Sequence, residues 1–179
     1  MVEWVLAVER AYVAAATRKQ PVARVEGDRD RALAAIGAVA SHYLAVGTPR
    51  SFGLVVDAST AAAGALSLDA HRTWFAPVDL RCHGGAVEGT RAVPLAEALA
   101  CDIVCIHAPV TIGAVRRGTH INVLAPMELP AELASVAQIS REDPDLGAMA
   151  AGFVDGRQLD EITVFLAGDA AIALAAIGA

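Results

Sequence analysis

The chain has 179 residues, a formal net charge of −6 and 55% hydrophobic residues, and only 4% of its residues are aromatic. This length predicts one domain with a substantial core. The negative charge argues against a nucleic acid or an anionic membrane as a partner, and the scarcity of aromatic residues argues against a surface that stacks on bases.

Membrane insertion and secretion are not expected either. No apolar run reaches the roughly 18–20 residues of a membrane span without a charge or a glycine, and the first residues lack the pattern of a secretory signal. The three cysteines, Cys82, Cys101 and Cys105, suit a reducing compartment better than a disulfide framework. We therefore expect a cytoplasmic protein.

Two leading helices are predicted. Apolar residues recur at the helical period from residue 2 to 17, and a short extended segment is predicted over 22–25, after Pro21. Asp28 is a favourable N-cap for a second helix, which we expect to run to Val46.

Strands and helices alternate in the rest of the chain. The strands are predicted at 52–56, 74–80, 102–106, 119–123, 135–139 and 161–165. The helices are predicted at 58–70, 94–100 and 144–151, with a last one beginning at Asp169. This alternation predicts an α/β fold, a doubly wound and mostly parallel Rossmann-like sheet. We expect a single domain over 1–179, with leading helices at 1–47 and the sheet core at 51–179.

The turn after the first predicted strand lacks the glycines of a dinucleotide-binding unit. Its sequence is Asp57-Ala58-Ser59-Thr60, whereas glycines at such a turn let backbone N–H groups close on a pyrophosphate. Asp57 would place negative charge beside the phosphates and is better explained as a helix cap. If a cofactor bound here nonetheless, the candidate contacts would be Ser59, Thr60 and Pro109.

His107 follows the buried run 102–106, at the carboxyl end of a predicted central strand, where open α/β sheets bind ligands. With Asp57 it could form a histidine–carboxylate pair for acid–base chemistry. The simpler interpretation is a histidine that is hydrogen-bonded to the following loop. Cys101 and Cys105 precede it, but their spacing suits a strand better than a metal centre, so no metal site is expected.

Several strings in the chain resemble, in the same order, the ornithine cyclodeaminase/μ-crystallin family. They are Val8-Glu9-Arg10-Ala11-Tyr12, the helical segment 38–45, Cys101-Asp102-Ile103-Val104-Cys105, Gly118-Thr119-His120-Ile121-Asn122, and Gly156-Arg157 with the segment 160–165. The resemblance implies a Rossmann domain that binds NAD(P) and acts on amino acids or imines. It also implies a β-rich dimerisation domain, which would fall between Val25 and Asp28 and is absent from this chain.

The functional residues that the resemblance implies mostly fail to match. The family's glycine-rich turn falls on 57–61 with neither glycine present, its substrate-binding arginine falls one residue after Arg31, and its catalytic aspartate falls one residue before Glu128. The substrate-binding lysines belong to the absent segment. The candidate catalytic residues are therefore only His107, Glu128 and Asp57.

These losses predict a degenerate family member, a pseudoenzyme that needs no cofactor. We expect a self-associating or partner-binding module, with a small metabolite as a candidate ligand at the former cofactor edge. The N-terminal helix would lack its usual neighbours, so its apolar face is predicted either to pack on the core or to pair with a second copy.

Two other interpretations stay open. One is an NAD(P)-dependent oxidoreductase or cyclodeaminase that acts on an amino acid or imine with an atypical phosphate-binding loop. The other is a subunit that completes an active site together with a separately encoded dimerisation-domain protein.

Overall fold

The computed structural model of the chain describes residues 3–18, 27–45, 47–156 and 160–178. Pro21 and the predicted segment 22–25 lie outside these ranges. The helices are α1 (Glu3–Arg18), α2 (Arg29–Leu44), α3 (Ala61–His71), α4 (Leu95–Leu99), α5 (Ala131–Val136), α6 (Gly147–Ala150) and α7 (Ala171–Ile177). The strands are β1 (Ser51–Val55), β2 (Asp79–His83), β3 (Arg91–Ala92), β4 (Ile103–Ile106), β5 (His120–Val123), β6 (Ala137–Arg141) and β7 (Ile162–Leu166).

The seven strands form one sheet in the order β3-β2-β1-β4-β5-β7-β6, and every pair of neighbours is parallel. The predicted Rossmann-like α/β class is confirmed, and the sheet is wholly rather than mostly parallel. The chain proceeds in one direction from β1 to β3 and in the other from β4 onwards. The carboxyl ends of β1 and β4 therefore frame the topological switch point, where ligands of such sheets bind.

Helix α2 is buried on all sides because its side chains are small. Asp28 is its N-cap, as predicted, and accepts a hydrogen bond from the backbone N–H of Arg31 at 3.0 Å. All residues from 32 to 41 are buried, and a Cβ atom on Gly37 would lie only 3.4 Å from Leu124. A helix that is apolar all round fits only between other layers, and α2 lies among α1, α3, α7 and the sheet.

Helix α1 packs on the core of its own chain. Val5, Val8 and Tyr12 have no exposed surface, and α1 contacts α2, α6 and α7. The Tyr12 hydroxyl donates a hydrogen bond to Glu142, a buried side chain just after β6. Of the two outcomes predicted for the apolar face of the N-terminal helix, packing on the core is therefore the one observed.

The strand predicted at 74–80 is displaced to the later β2. The backbone N–H groups of Trp74 and Phe75 both donate to His71 O, at 3.2 and 3.0 Å, and so extend the end of α3. The Trp74 ring stacks on His42 at 4.7 Å. These aromatic residues favour a strand by composition, but here they cover helices.

Other elements also differ from the predictions. Helix α3 begins at Ala61 because residues 57–60 form a turn of their own, and α5 occupies the start of the strand predicted at 135–139. The helix predicted at 144–151 is a π-helical turn over Glu142–Leu146 followed by α6. The two-residue edge strand β3 was not predicted. Across the described residues, no helix is long and apolar enough to span a membrane.

Candidate functional site

The turn between β1 and α3 is closed by the Asp57 carboxylate. Its Oδ1 accepts hydrogen bonds from the backbone N–H groups of Ser59 and Thr60, at 2.8 and 2.9 Å, and from their hydroxyls, at 2.7 and 3.0 Å. The Thr60 hydroxyl accepts in return from Asp57 N at 2.9 Å. The hydrogen bonds from Ser59, followed by those from Thr60, hold the pKa of Asp57 below its ordinary value, so an ionised carboxylate occupies this turn at neutral pH.

Gly64 allows α3 to lie close to β1. A Cβ atom on this residue would lie 2.7 Å from Val56 Cγ1. In the dinucleotide-binding fingerprint G-x-G-x-x-G, the third glycine allows the helix to pack closely on the strand. Counting back from Gly64 puts Ser59 and Ala61 at the first two positions. One of the three glycines is therefore present, which the sequence reasoning missed although the spacing could have revealed it.

The loop after β2 closes against the same turn. Gly84 has a φ of +86°, and a Cβ atom there would lie 2.1 Å from Val56 O. A Cβ atom on Gly85 would lie 2.8 Å from Val56 Cγ2. Both the left-handed backbone and the close approach require glycine at position 84.

His107 lies at the end of β4, as predicted, but its side chain is bound to α3. Its Nε2 is 2.9 Å from the Ser67 hydroxyl, and its backbone N–H donates to Val55 O at 2.8 Å. Burial lowers the pKa of His107 to about 4, so the ring is neutral at pH 7. The expected hydrogen bond to the following loop and the expected pair with Asp57 are both absent from the described contacts, since Ser67 takes Nε2 and the Asp57 carboxylate binds Ser59 and Thr60.

The other candidate residues are not brought into one cluster. Pro109 and Glu128 are exposed on the segments that follow β4 and β5, and no side-chain hydrogen bond of Glu128 occurs in the described part of the chain. Arg31 forms an ion pair with Asp28 at 3.7 Å and lies over the Trp4 ring at 5.9 Å. Arg31 thus makes its contacts at the start of α2, with the N-cap residue Asp28 and with Trp4 of α1.

A chain of buried hydrogen bonds between α2, α3 and the sheet was not foreseen. We call it the buried polar chain, and its five members, all without exposed surface, are Ser41, His71, Asn122, His120 and Thr163. A signal did exist in the sequence, because His120 and Asn122 are two residues apart and so share one face of a buried strand.

The first half of the buried polar chain connects α3 to α2. His71 Nδ1 lies 2.7 Å from Ser67 O, and His71 Nε2 lies 2.9 Å from the Ser41 hydroxyl. Asn122 Nδ2 donates to that hydroxyl at 2.8 Å. Burial lowers the pKa of His71 to about 4.

The second half runs across the sheet to the end of α2. Asn122 Oδ1 lies 3.1 Å from His120 Nε2, and His120 Nδ1 lies 2.8 Å from Thr163 Oγ1. The Thr163 hydroxyl donates to Leu44 O at 3.0 Å. Burial lowers the pKa of His120 to about 3. The buried polar chain thus joins α2, α3, β5 and β7.

The cysteines have no reactive surroundings. All three are free and buried, and burial raises the pKa of Cys101 to about 11 and that of Cys105 to about 12. Among the described residues, no group of three or more His, Cys, Asp or Glu side chains could hold a metal ion.

No protein-family model and no curated protein sequence matches the chain, but solved structures do. An archaeal alanine dehydrogenase, described as a dimer with bound NAD, matches with a TM-score of 0.75 and 19% identity, over 98% of this chain and 89% of that one. The iminosuccinate reductase of Paracoccus denitrificans, in complex with NAD+, matches with a TM-score of 0.68 and 20% identity, over 82% of this chain and 61% of that one.

A lysine cyclodeaminase matches with a TM-score of 0.61 and 20% identity, over 82% of this chain and 57% of that one. This chain therefore spans less than two thirds of the length of the reductase and the cyclodeaminase. At these identities the comparison establishes the fold alone. The chain thus has the Rossmann-like α/β fold of these dehydrogenase, reductase and cyclodeaminase structures.

Proposed function

We propose that this chain is a non-catalytic Rossmann-like module that has lost the phosphate-binding use of its first turn and acts by binding a second copy of itself or a partner protein. The observation that carries the proposal is the hydrogen bonding of Asp57. Its carboxylate accepts the backbone N–H groups of Ser59 and Thr60, the kind of group that a dinucleotide-binding turn offers to phosphate.

The turn does not fit a pyrophosphate in this conformation. An ionised carboxylate repels the phosphates, and a helix N-terminus offsets only part of that repulsion. The side chains of Ser59 and Ala61 stand where the fingerprint has its first two glycines, and they keep a ligand away from the backbone. We therefore derive no chemical step through a nicotinamide cofactor.

The acid–base candidates also argue against catalysis. His107 is buried and bound to Ser67, which leaves it poorly placed to exchange protons with a substrate. Glu128 is exposed and isolated in the described part of the chain. A general acid or base needs a reacting group within hydrogen-bond distance and a pKa near the working pH, and the lowered pKa of the buried His107 does not fit that role.

Self-association would need a surface other than the apolar face of α1 that is already buried. The outward side of α1 carries Leu6 and Val13, which are half-buried and, at a separation of seven residues, lie on one side of the helix. The alanine dehydrogenase with the same fold is described as a dimer, which is compatible with a homo-oligomer here. Light scattering on the purified chain, compared with a Leu6→Glu/Val13→Glu variant, tests this surface: we expect the variant to dissociate.

Calorimetric titration with NAD+, NADH, NADP+ and NADPH tests the proposal directly. We expect no binding by the wild-type chain up to millimolar concentrations, and micromolar binding would overturn the proposal. Asp57→Asn removes the charge at almost constant shape, and Asp69→Asn is a matched control, since Asp69 is an exposed carboxylate on α3, the helix that follows the turn. A gain in affinity in Asp57→Asn alone would identify the carboxylate as the barrier; equal behaviour of the two variants would refute its role.

The second candidate function is an NAD(P)-dependent oxidoreductase or cyclodeaminase that acts on an amino acid or imine. Gly64 favours it, because the close packing of α3 on β1 is kept, and so do the solved proteins of this fold that are described with NAD. Under this alternative, Ser59, Thr60 and Pro109 would contact the cofactor, and a bulky Ser59→Trp replacement would abolish binding. We also propose a small metabolite as a candidate ligand at the same edge, and a separately encoded partner that completes an active site as a further alternative.

A further inference from the structure

Both ends of the buried polar chain are backbone carbonyls. It starts at Ser67 O, which faces His71 Nδ1, and it ends at Leu44 O, which faces the Thr163 hydroxyl. A carbonyl oxygen accepts hydrogen bonds and cannot donate them. The side chains between the two ends must therefore donate in both directions.

When both histidines are neutral, the buried polar chain has too few hydrogens to form a hydrogen bond at every link. Six links join the two carbonyls through the five side chains. A neutral imidazole has one N–H, and each hydroxyl has one O–H. The Asn122 amide forms one link with an N–H group and the other with its oxygen, so it supplies one hydrogen. This holds in either of the two orientations in which the amide nitrogen and oxygen can be assigned. The five side chains thus supply five hydrogens for six links.

Neighbouring groups do not supply the missing hydrogen. The second N–H of Asn122 points to Cys105 Sγ at 3.5 Å, and that thiol lies 3.8 Å from His71 Nε2, where a thiol is at best a weak donor. Among the described residues, His107, just after β4, is a further titratable group that acts on these imidazoles, and it opposes protonation of His71. No carboxylate hydrogen-bonds to any member within the part of the chain that the structure describes.

Two opposing effects determine whether the buried polar chain is neutral or protonated. Burial lowers the pKa of an imidazole, because it disfavours the charged form. The hydrogen bond that protonation would complete raises that pKa by about 1–2 units. Because burial is the larger effect for His71 and His120, the neutral form with one unmade link prevails at pH 7. Acid then favours the form in which one imidazole donates from both nitrogens.

We propose that the buried polar chain is a one-proton switch, in which a single proton shared by His71 and His120 completes the sixth link on acidification. Completion joins Ser67 O of α3 to Leu44 O of α2 through an unbroken series of hydrogen bonds across β5 and β7. A second proton finds no unmade link, so the two histidines do not titrate independently. The switch would make the attachment of α2 and α3 to the sheet depend on pH.

Two variants remove the shortage in different ways. Thr163→Val removes the last two links, to His120 and to Leu44 O, so that four hydrogens serve the four links that remain. Ser41→Ala divides the chain into two parts, each with as many hydrogens as links. Thr163→Ser is the matched control, because it keeps the hydroxyl and hence the shortage.

The test is a histidine titration from pH 7.5 to 3, a range that reaches the lowered pKa values of His71 and His120, by long-range ¹H–¹⁵N correlation spectra, with folding checked by circular dichroism at each pH. We expect the first protonation of His71 or His120 in the wild type and in Thr163→Ser to lie about one pH unit or more above that in Thr163→Val and Ser41→Ala. Equal titration in all four proteins would overturn the proposal, and so would independent protonation of both histidines in the wild type. Should Thr163→Val fail to fold, Ser41→Ala provides the same comparison.

Discussion

The hydrogen bond between Tyr12 and Glu142 should contribute measurably to stability, because it joins the first helix to the end of the sheet. The Glu142 carboxyl group is buried and accepts from the Tyr12 hydroxyl, from Gly168 N at 2.9 Å and from Ala170 N at 3.0 Å. Gly168 is exposed and can bind water instead, whereas Ala170 is buried. Glu142→Ala therefore removes the hydrogen bonds that two buried groups, the Tyr12 hydroxyl and the Ala170 N–H, make to this carboxyl group. At about 1–3 kcal/mol each, we expect a loss of about 3–5 kcal/mol.

Urea unfolding of Tyr12→Phe, Glu142→Ala and the double variant measures this contribution. Tyr12→Phe should cost about 1–2 kcal/mol, and the double variant should be more stable than the two single losses added together predict, because both act on one contact. Tyr43→Phe is the control, since its hydroxyl donates to Glu9 at 2.6 Å in a half-buried place and should be worth roughly 0.5 kcal/mol. Equal losses for the two tyrosine variants, or additive losses in the cycle, would refute the reasoning.

Three further predictions concern other parts of the molecule. Gly84→Ala should destabilise by about 3 kcal/mol or more, because its Cβ would lie 2.1 Å from a backbone oxygen; Gly89→Ala, which also has positive φ but no atom within 4 Å, should cost only about 1 kcal/mol. An unfolded histidine binds a proton below pH 6.5 but folded His107 only near pH 4, so the free energy of unfolding should fall as the pH drops through this range, by about 2 kcal/mol at pH 5 from this residue. Urea unfolding of His107→Gln should show that much less acid sensitivity between pH 7 and 5. Cys105, buried with a pKa raised to about 12, should react with a thiol reagent only as fast as the protein unfolds, and faster labelling of the native chain would contradict this.

Local patterns predicted much of the fold. The N-cap at Asp28 and the apolar run that became β4 needed only neighbouring residues, and both are observed. The region 74–80 failed because its aromatic residues pack on residues distant in sequence, with Trp74 stacked on His42. The two residues of β3 are too few to carry a periodic signal.

The site could be predicted less well than the fold. Asp57 is predicted to cap a helix, but the N-cap of α3 is Thr60. The Asp57 carboxylate instead closes the turn before α3 by accepting two backbone N–H groups within three residues. The partner of His107 is Ser67, forty residues earlier, and only the packing of α3 on the sheet brings them together. The hydrogen count of the buried polar chain likewise depends on residues from 41 to 163 and has no local signature.

The position of β7 in the sheet affects how the protein can fold while it is being synthesised on the ribosome. Strand β6 pairs only with β7, and β7 lies between β5 and β6 in the sheet. When residues up to 141 have emerged during synthesis, β6 therefore has no strand to join until the segment 162–166 follows. Helix α1 also packs on α7, which follows all seven strands in the sequence. The nascent chain thus exposes a strand edge and an apolar helix face until β7 and α7 have emerged, the period in which such a protein most needs a chaperone.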